Sequence, residues 1–237
     1  LRYILIANFS NIGEIWGLGF KFQNFFLKKN KKFYSNFFSK TEGDNEALEF
    51  IKKITGNSKI DYKPLTSVEN GLRDTVGIII AASGFEKRWS IKKYIKVLKF
   101  LKKKNYKKFL IISGLDQSKE ENLIKENLTG IKDITFTSDK KINDVIPYLK
   151  KCKFCIGNDT GFAHLAVNLD IETIIIQGDC PPQTYSTLLK HIDIEPDVTR
   201  SPISIHTIEV EKVLNELSNF LNRRGGRVVE GARLESV

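Results

Sequence analysis

The sequence predicts an α/β protein built on a doubly wound parallel sheet, with helices covering both faces. Short continuous apolar runs, TVGIIIAA (75–82), KKFLIISG (107–114) and ETIIIQG (172–178) among them, have the composition of strands buried on two sides. Amphipathic segments of helical period lie between them. From about residue 75 the two kinds of segment alternate regularly, which is the signature of βαβ units feeding one parallel sheet.

The elements follow in order. After TVGIIIAA, Ser90 is placed to cap a helix, IKKYIKVLKFLKKKN. Its Ile91, Tyr94, Ile95, Leu98 and Leu101 share one face while lysines fill the rest. KKFLIISG is the next strand. DQSKEENLIKENL (116–128) is a helix with acids in its first turn, where the dipole favours them. DITFT (133–137) is a strand. INDVIPYLKKC (142–152) is an amphipathic helix that Pro147 should kink or begin. KFCIGN (153–158) is a strand and GFAHLAVNL a helix. ETIIIQG is the last clear strand, and TIEVEKVLNELSNFL (207–221) is a closing amphipathic helix.

Residues 1–74 are less regular. RYILIANF has strand character, and DNEALEFIKKITG (44–56) is a helix with Asp44 as cap and Gly56 near its end. The last segment, RRGGRVVEGARLESV (223–237), changes from lysine to arginine and has no helical period, so it is read as an appended or disordered tail. The chain contains no Met and begins with Leu1.

Composition narrows the function classes. With 41% hydrophobic and 28% charged residues, the chain has the balance of an ordinary globular protein. No apolar stretch approaches the roughly 20 residues needed to span a bilayer. LRYILIANFSNIGEIW makes a poor signal peptide, and a cytoplasmic location is the default expectation. The three cysteines do not suggest a disulfide framework. Cys152 and Cys155 form a C-x-x-C without a second ligand pair, which reads better as two small buried thiols than as a metal site. The net charge of +10 comes almost wholly from lysine on helix faces. A solvated face is the plainest reading, and attraction to anionic lipid at the inner leaflet is a second. Nucleic acid is a third, but no recognisable binding motif supports it.

In a doubly wound sheet, ligands bind beyond the carboxyl ends of the strands. The first such loop reads Ala82-Ser83-Gly84-Phe85-Glu86-Lys87-Arg88-Trp89. A small hydroxyl, a glycine and a cation before a helix suit a phosphate, although a loop with an incidental lysine would look the same. After the second strand, Glu120 or Glu121 could accept ribose hydroxyls or simply match the helix dipole. The fourth strand runs into Asn158-Asp159-Thr160-Gly161, with His164 one turn further on. Asp159 or Thr160 would cap the following helix, whose first amides could hold an anion. An N-cap with a core histidine is the simpler alternative. A turn-rich loop, Gln177 to Tyr185, follows the last strand at the same edge.

Together, S-G-x-x-K-R-W before an amphipathic helix and G-N-D-T-G-x-x-H-L-A some way after it resemble the C-terminal half of glycosyltransferase family 9, the lipopolysaccharide heptosyltransferases. The likeness covers roughly 75–221. It implies the GT-B fold, two Rossmann-like domains facing a cleft, of which residues 75–222 would be the nucleotide-sugar-binding domain. Residues 1–74 would be the remnant of an incomplete N-terminal acceptor domain and its linker. The resemblance further implies an inverting, metal-independent transfer of a heptose-like sugar from a nucleoside-diphosphate donor, with no cofactor, to a lipid-linked glycan acceptor. Carried over residue by residue, Ser83 and Lys87 would contact donor phosphates. Asp159, Thr160 and Gly161 would hold the phosphates and sugar, with His164 beside them. Glu120 (or Glu121) would meet the ribose, and the backbone near Lys140 would flank the base. The family often has Thr where Ala82 stands. The family's glycine-rich opening block with its catalytic-base aspartate has no counterpart here. The expectation is therefore a chain that binds donor weakly and turns over poorly, and a non-catalytic nucleotide-sugar-binding module or decayed fragment is the rival reading.

Overall fold

The computed structural model describes residues 16–19, 36–39, 73–128, 130, 133–178, 182–183 and 185–234, and the chain divides into two units. In the first, β1 (Trp16–Gly19) pairs in parallel with β2 (Asn36–Ser39). The strand expected at RYILIANF and the helix expected over 44–56 lie outside the described residues, as does the greater part of the anticipated linker.

The second unit holds a six-stranded sheet: β3 (Thr75–Ile79), β4 (Lys108–Ile112), β5 (Asp133–Phe136), β6 (Cys152–Asn158), β7 (Thr173–Gln177) and β8 (Leu189–Asp193). All pairings are parallel, and the order across the sheet is β5-β4-β3-β6-β7-β8. The helices are α1 (Ile91–Lys103), α2 (Ser118–Asn127), α3 (Ile142–Leu149), α4 (Gly161–Asn168) and α5 (Val210–Leu234). Right-handed crossovers put α1 and α2 on one face; the return from β5 to β6 puts α3 and α4 on the other.

The residues bear this out. The core cluster on one face joins Val76, Ile78 and Ile80 to Tyr94 and Leu98 of α1 and Leu217 of α5, while the equally buried Val145 of α3 and Ala163 of α4 lie outside it. The doubly wound parallel sheet expected from the sequence is thus the observed architecture. Alternation of inward-facing residues along β3, β4 and β6 explains how both faces are covered by one set of strands.

Four local differences have physical causes. The sequence reading ends the strands at residue 178, but β8 follows, over LKHID. It is an edge strand, and its Lys190, His191 and Asp193 mask the apolar run that marked the others. The closing helix does not stop at 221: helical backbone continues to Leu234, into the segment set aside as a tail. Arg224 anchors that extension by pairing with Glu172. Ser90 occupies the cap position of α1, but its side chain makes no capping bond; its carbonyl accepts from Lys93 and Tyr94 instead. Pro147 sits in the last turn of α3 rather than its first. Cys152 and Cys155 are buried free thiols. Hydrogen bonding to Cys152 and burial push the Cys155 thiol well above its ordinary range, which makes it unreactive.

Candidate functional site

β3 and β6 are neighbours, yet the chain leaves them in opposite directions, β3 toward β4 and β6 toward β7. A crevice opens at such a reversal, beyond the carboxyl ends of the two strands. Ile79 pairs with Gly157 just below it. The approach there is close: a Cβ on Gly157 would stand 2.1 Å from the Ile79 carbonyl oxygen. Only glycine lets the two strands meet at that distance.

Asn158, the last residue of β6, is fully buried and ties the two sides of the crevice together. Its Oδ1 accepts from the Trp89 amide at 3.1 Å and from the Tyr94 hydroxyl at 2.9 Å. Its Nδ2 donates to the Ile80 carbonyl at 2.8 Å and more distantly to Ala81 at 3.4 Å. The amide donor at one end and the carbonyl acceptors at the other fix which way the carboxamide points. Burial pushes the Tyr94 phenol well up, so it stays a neutral donor. Trp89 is further pinned by its indole N–H, which donates to Ile208 at 2.9 Å, and by edge-on packing against the Tyr94 ring.

Between these anchors the β3 loop carries Ser83, exposed, and a short 3-10 turn, Phe85–Lys87, that ends on the half-buried Lys87. Arg88, next in line, faces elsewhere: its guanidinium holds Asp116 at 2.7 Å and the Ala82 carbonyl at 3.3 Å. The hydrogen bond from Arg88 keeps the Asp116 carboxyl below its usual range.

On the other side of the crevice stands the start of α4. Thr160 is the N-cap, and its hydroxyl accepts from the Phe162 amide at 3.2 Å. The Ala163 and His164 amides turn back to the Thr160 carbonyl. Of the two capping candidates, Thr160 therefore takes the role, and the Gly161 amide is left as the first-turn donor without an intrahelical partner. A Cβ on Gly161 would meet nothing within 4 Å, so the space before it is open. Asp159 is bound instead to His164, Oδ1 to Nε2 at 3.0 Å, which orients both groups at the helix start.

Glu120 and Glu121 have different surroundings. Glu121 is buried and accepts from the Ser113 hydroxyl, from the Ser138 amide at 3.1 Å and from the Ser138 hydroxyl at 2.9 Å. It clamps the ends of β4 and β5, with three bonds already spent on that role. Glu120 lines a cavity of about 280 Å³ together with Ile80, Arg88, Trp89, Gln117 and His206. Lys140 lies two strands away, past the edge strand β5. It borders a separate open hollow with Asp144 and Tyr148 and pairs with Asp139 at 3.2 Å.

Ser83 and Lys87 thus lie on the loop that follows β3, and Asp159, Thr160, Gly161 and His164 on the segment that follows its neighbour β6. Glu120 lines the cavity between the β3 loop and α2, and Lys140 stands apart. Sequence reasoning passed over Asn158 and Gln117. The buried Gln117 links the ends of β3 and β4, accepting from the Gly114 amide at 2.8 Å and donating to Ile80 at 3.1 Å. The available signal was an uncharged amide at a strand end, where a buried polar group must have partners. Among the described residues, no group of three or more His, Cys, Asp or Glu is arranged to hold a metal ion.

Comparison with known proteins gives this geometry its context. The family model described as glycosyltransferase family 9 (heptosyltransferase) matches residues 41–195. No curated protein sequence matches significantly. Among solved structures, the fold is similar to E. coli ADP-heptose lps heptosyltransferase II, at a TM-score of 0.72 and 16% identity, covering 94% of this chain and 74% of that one. A family 9 glycosyl transferase from Veillonella parvula gives 0.67 and 14%, covering 94% and 71%. E. coli heptosyltransferase WaaC, solved with ADP-2-deoxy-2-fluoro heptose, gives 0.59 and 16%, covering 79% of this chain. The chain spans 60% of the length of that WaaC chain. At such identities these likenesses speak to the fold.

Proposed function

The chain belongs to glycosyltransferase family 9, and from that premise we propose that it forms the donor-binding part of a heptosyltransferase-type enzyme. The substrate would be a nucleoside-diphospho-sugar of the ADP-heptose kind, and the acceptor a lipopolysaccharide or another cell-envelope glycan. The observation that supports this reading is the topology: the loop bearing Lys87 follows β3 and the N-terminus of α4 follows β6, the two neighbouring strands at which the sheet reverses, where a diphosphate would dock.

The chemistry follows from those groups. In an inverting transfer, an acceptor hydroxyl attacks the anomeric carbon as the nucleoside diphosphate departs, and negative charge grows on the leaving oxygen. The Lys87 ammonium and the Gly161 amide, backed by the dipole of α4, would offset that charge, a role that needs no metal. Ser83 adds a hydroxyl donor on the same side. Asp159, oriented by His164, offers a carboxylate to sugar hydroxyls, and Glu120 offers one to the ribose. Lys140, bordering its own hollow, would reach the base only through backbone nearby. The general base that deprotonates the acceptor is not assigned to any described residue.

Calorimetry of this chain against ADP, UDP and GDP tests the reading. Micromolar to millimolar binding of one nucleotide, weakened about tenfold or more in Lys87→Ala, is the expected outcome. No affinity for any of the three would remove it. Binding without sugar transfer to any acceptor glycan would favour the non-catalytic module.

A location at the inner face of the membrane goes with an envelope acceptor. No helix among the described residues is long and apolar enough to cross a membrane. The outer face of α1 carries the exposed lysines 92, 96, 99 and 103 and no acid, so anionic lipid would hold the chain peripherally. Flotation with vesicles of anionic and of neutral lipid tests this: recovery with both or with neither would exclude charge-driven attachment.

A further inference from the structure

We infer that Asn158 is a positioning residue for the donor site: its carboxamide sets the spacing between the Lys87 loop and the N-terminus of α4. The inference rests on the donor-binding reading above and gives Asn158 a role that the family resemblance did not assign.

The geometry carries it. Asn158 is at 0% exposure, and its side chain reaches no solvent. All of its bonds run to one segment, the stretch from Ile80 to Tyr94 that contains Ser83 and Lys87. In sequence it is immediately followed by Asp159, Thr160 and Gly161. One side chain therefore holds both walls of the crevice, and it does so by accepting at one atom and donating at the other. A carboxylate of the same shape can accept but cannot donate. Placed in the same pocket it would face the Ile80 and Ala81 carbonyls, repel them, and bring a negative charge next to the intended diphosphate.

That asymmetry makes the role testable in Asn158→Asp. Burial raises the pKa of a carboxyl group, so the substituted side chain is neutral at the acid end of the working range and charged at the alkaline end. When neutral, its O–H donates to Ile80 and its carbonyl oxygen accepts from Trp89 and Tyr94, restoring the original pattern. The expected result is an ADP affinity roughly tenfold or more below the parent chain at pH 8.5, returning to within about threefold at pH 5.5. Amide hydrogen exchange should accelerate at pH 8.5 in residues 82–90 and 159–164 together. If Asn158→Asp does not fold, Tyr94→Phe removes one bond to Oδ1, along with the hydroxyl's longer contact to the Ile79 carbonyl at 3.2 Å, and should weaken ADP by about threefold, with the same paired acceleration.

A folded Asn158→Asp, or failing that Tyr94→Phe, that binds ADP as the parent does and exchanges faster in one segment alone would overturn the assignment. A lower melting point with unchanged, pH-independent ADP affinity would also overturn it, since that is what a purely structural residue gives. If the parent chain binds no ADP while exchange still rises in both segments, the donor reading falls and the coupling by Asn158 stands.

Discussion

Gly157→Ala should be one of the most damaging single-methyl changes in the chain. The added Cβ would stand 2.1 Å from the Ile79 carbonyl oxygen, 2.5 Å from its Cβ and 2.6 Å from its Cα. Two of these three neighbours are backbone atoms, so no rotamer change relieves the contact. Carbon and oxygen at ordinary contact need about 1 Å more, which must come from moving β3 away from β6 at their Ile79–Gly157 pairing. Both strands lie inside the sheet with neighbours on either side, so the shift propagates to β4 and β7. Overpacking of this kind costs about 3 kcal/mol at the upper end of the usual range. For a chain of this size that corresponds to a melting point lower by roughly 6–12 °C. Circular dichroism melts, repeated in urea, measure it. A variant that melts within about 2 °C of the parent would show that the strands are not held this closely, and the crevice geometry derived from that contact would fail with it.

Gly161→Ala is the contrasting case. Its Cβ would enter open space at the first position of α4, so stability should stay level or rise by about 0.5 kcal/mol, while ADP binding falls several-fold because the methyl occupies the room left for the ligand. Calorimetry and a melt on the same sample separate the two effects. Leu98→Ala, at a fully buried position of α1, should cost about 3 kcal/mol in urea denaturation without a specific loss of nucleotide binding in the folded fraction. Arg200→Ala tests the ion pair with Asp193. Burial alone would raise that carboxyl's pKa, but bonds from Arg200 and the Ile194 amide, with the charge of His191, bring it below its ordinary value. A depressed carboxyl stabilises the fold above its unfolded pKa and loses that contribution as pH falls through the folded one. The variant should therefore be up to about 1 kcal/mol less stable at pH 7, with the difference shrinking as pH drops below about 4.

Much of this fold can be read from the chain because most of its strands are apolar on both faces and its helices on one. β3, β6 and β7 declare themselves as runs of Ile, Val and Cys, and α1 by the spacing of Tyr94, Leu98 and Leu101. β8 does not, because an edge strand exposes part of itself and carries Lys190, His191 and Asp193. The extension of α5 is hidden for a different reason: the arginines and glycines after Asn222 give no amphipathic period to follow. At the site, the charged and hydroxylic residues stand out by type, but neighbours on a helix point about 100° apart, so only coordinates separate Glu120 from Glu121. Asn158 is uncharged, and its partners lie 64 to 78 residues away, so its part in joining the two loops depends on contacts no local pattern encodes.

The central claim is that a nucleoside diphosphate sits at the reversal between β3 and β6, between Lys87 and the amide of Gly161. Titrating isotopically labelled protein with ADP and following backbone amide resonances tests it most directly. Saturable shifts should concentrate at 83–87 and 159–164 and vanish in Lys87→Ala. Shifts centred instead on the basic hollow at the opposite end of the sheet, around Lys102, Lys107 and Gly130, would contradict it.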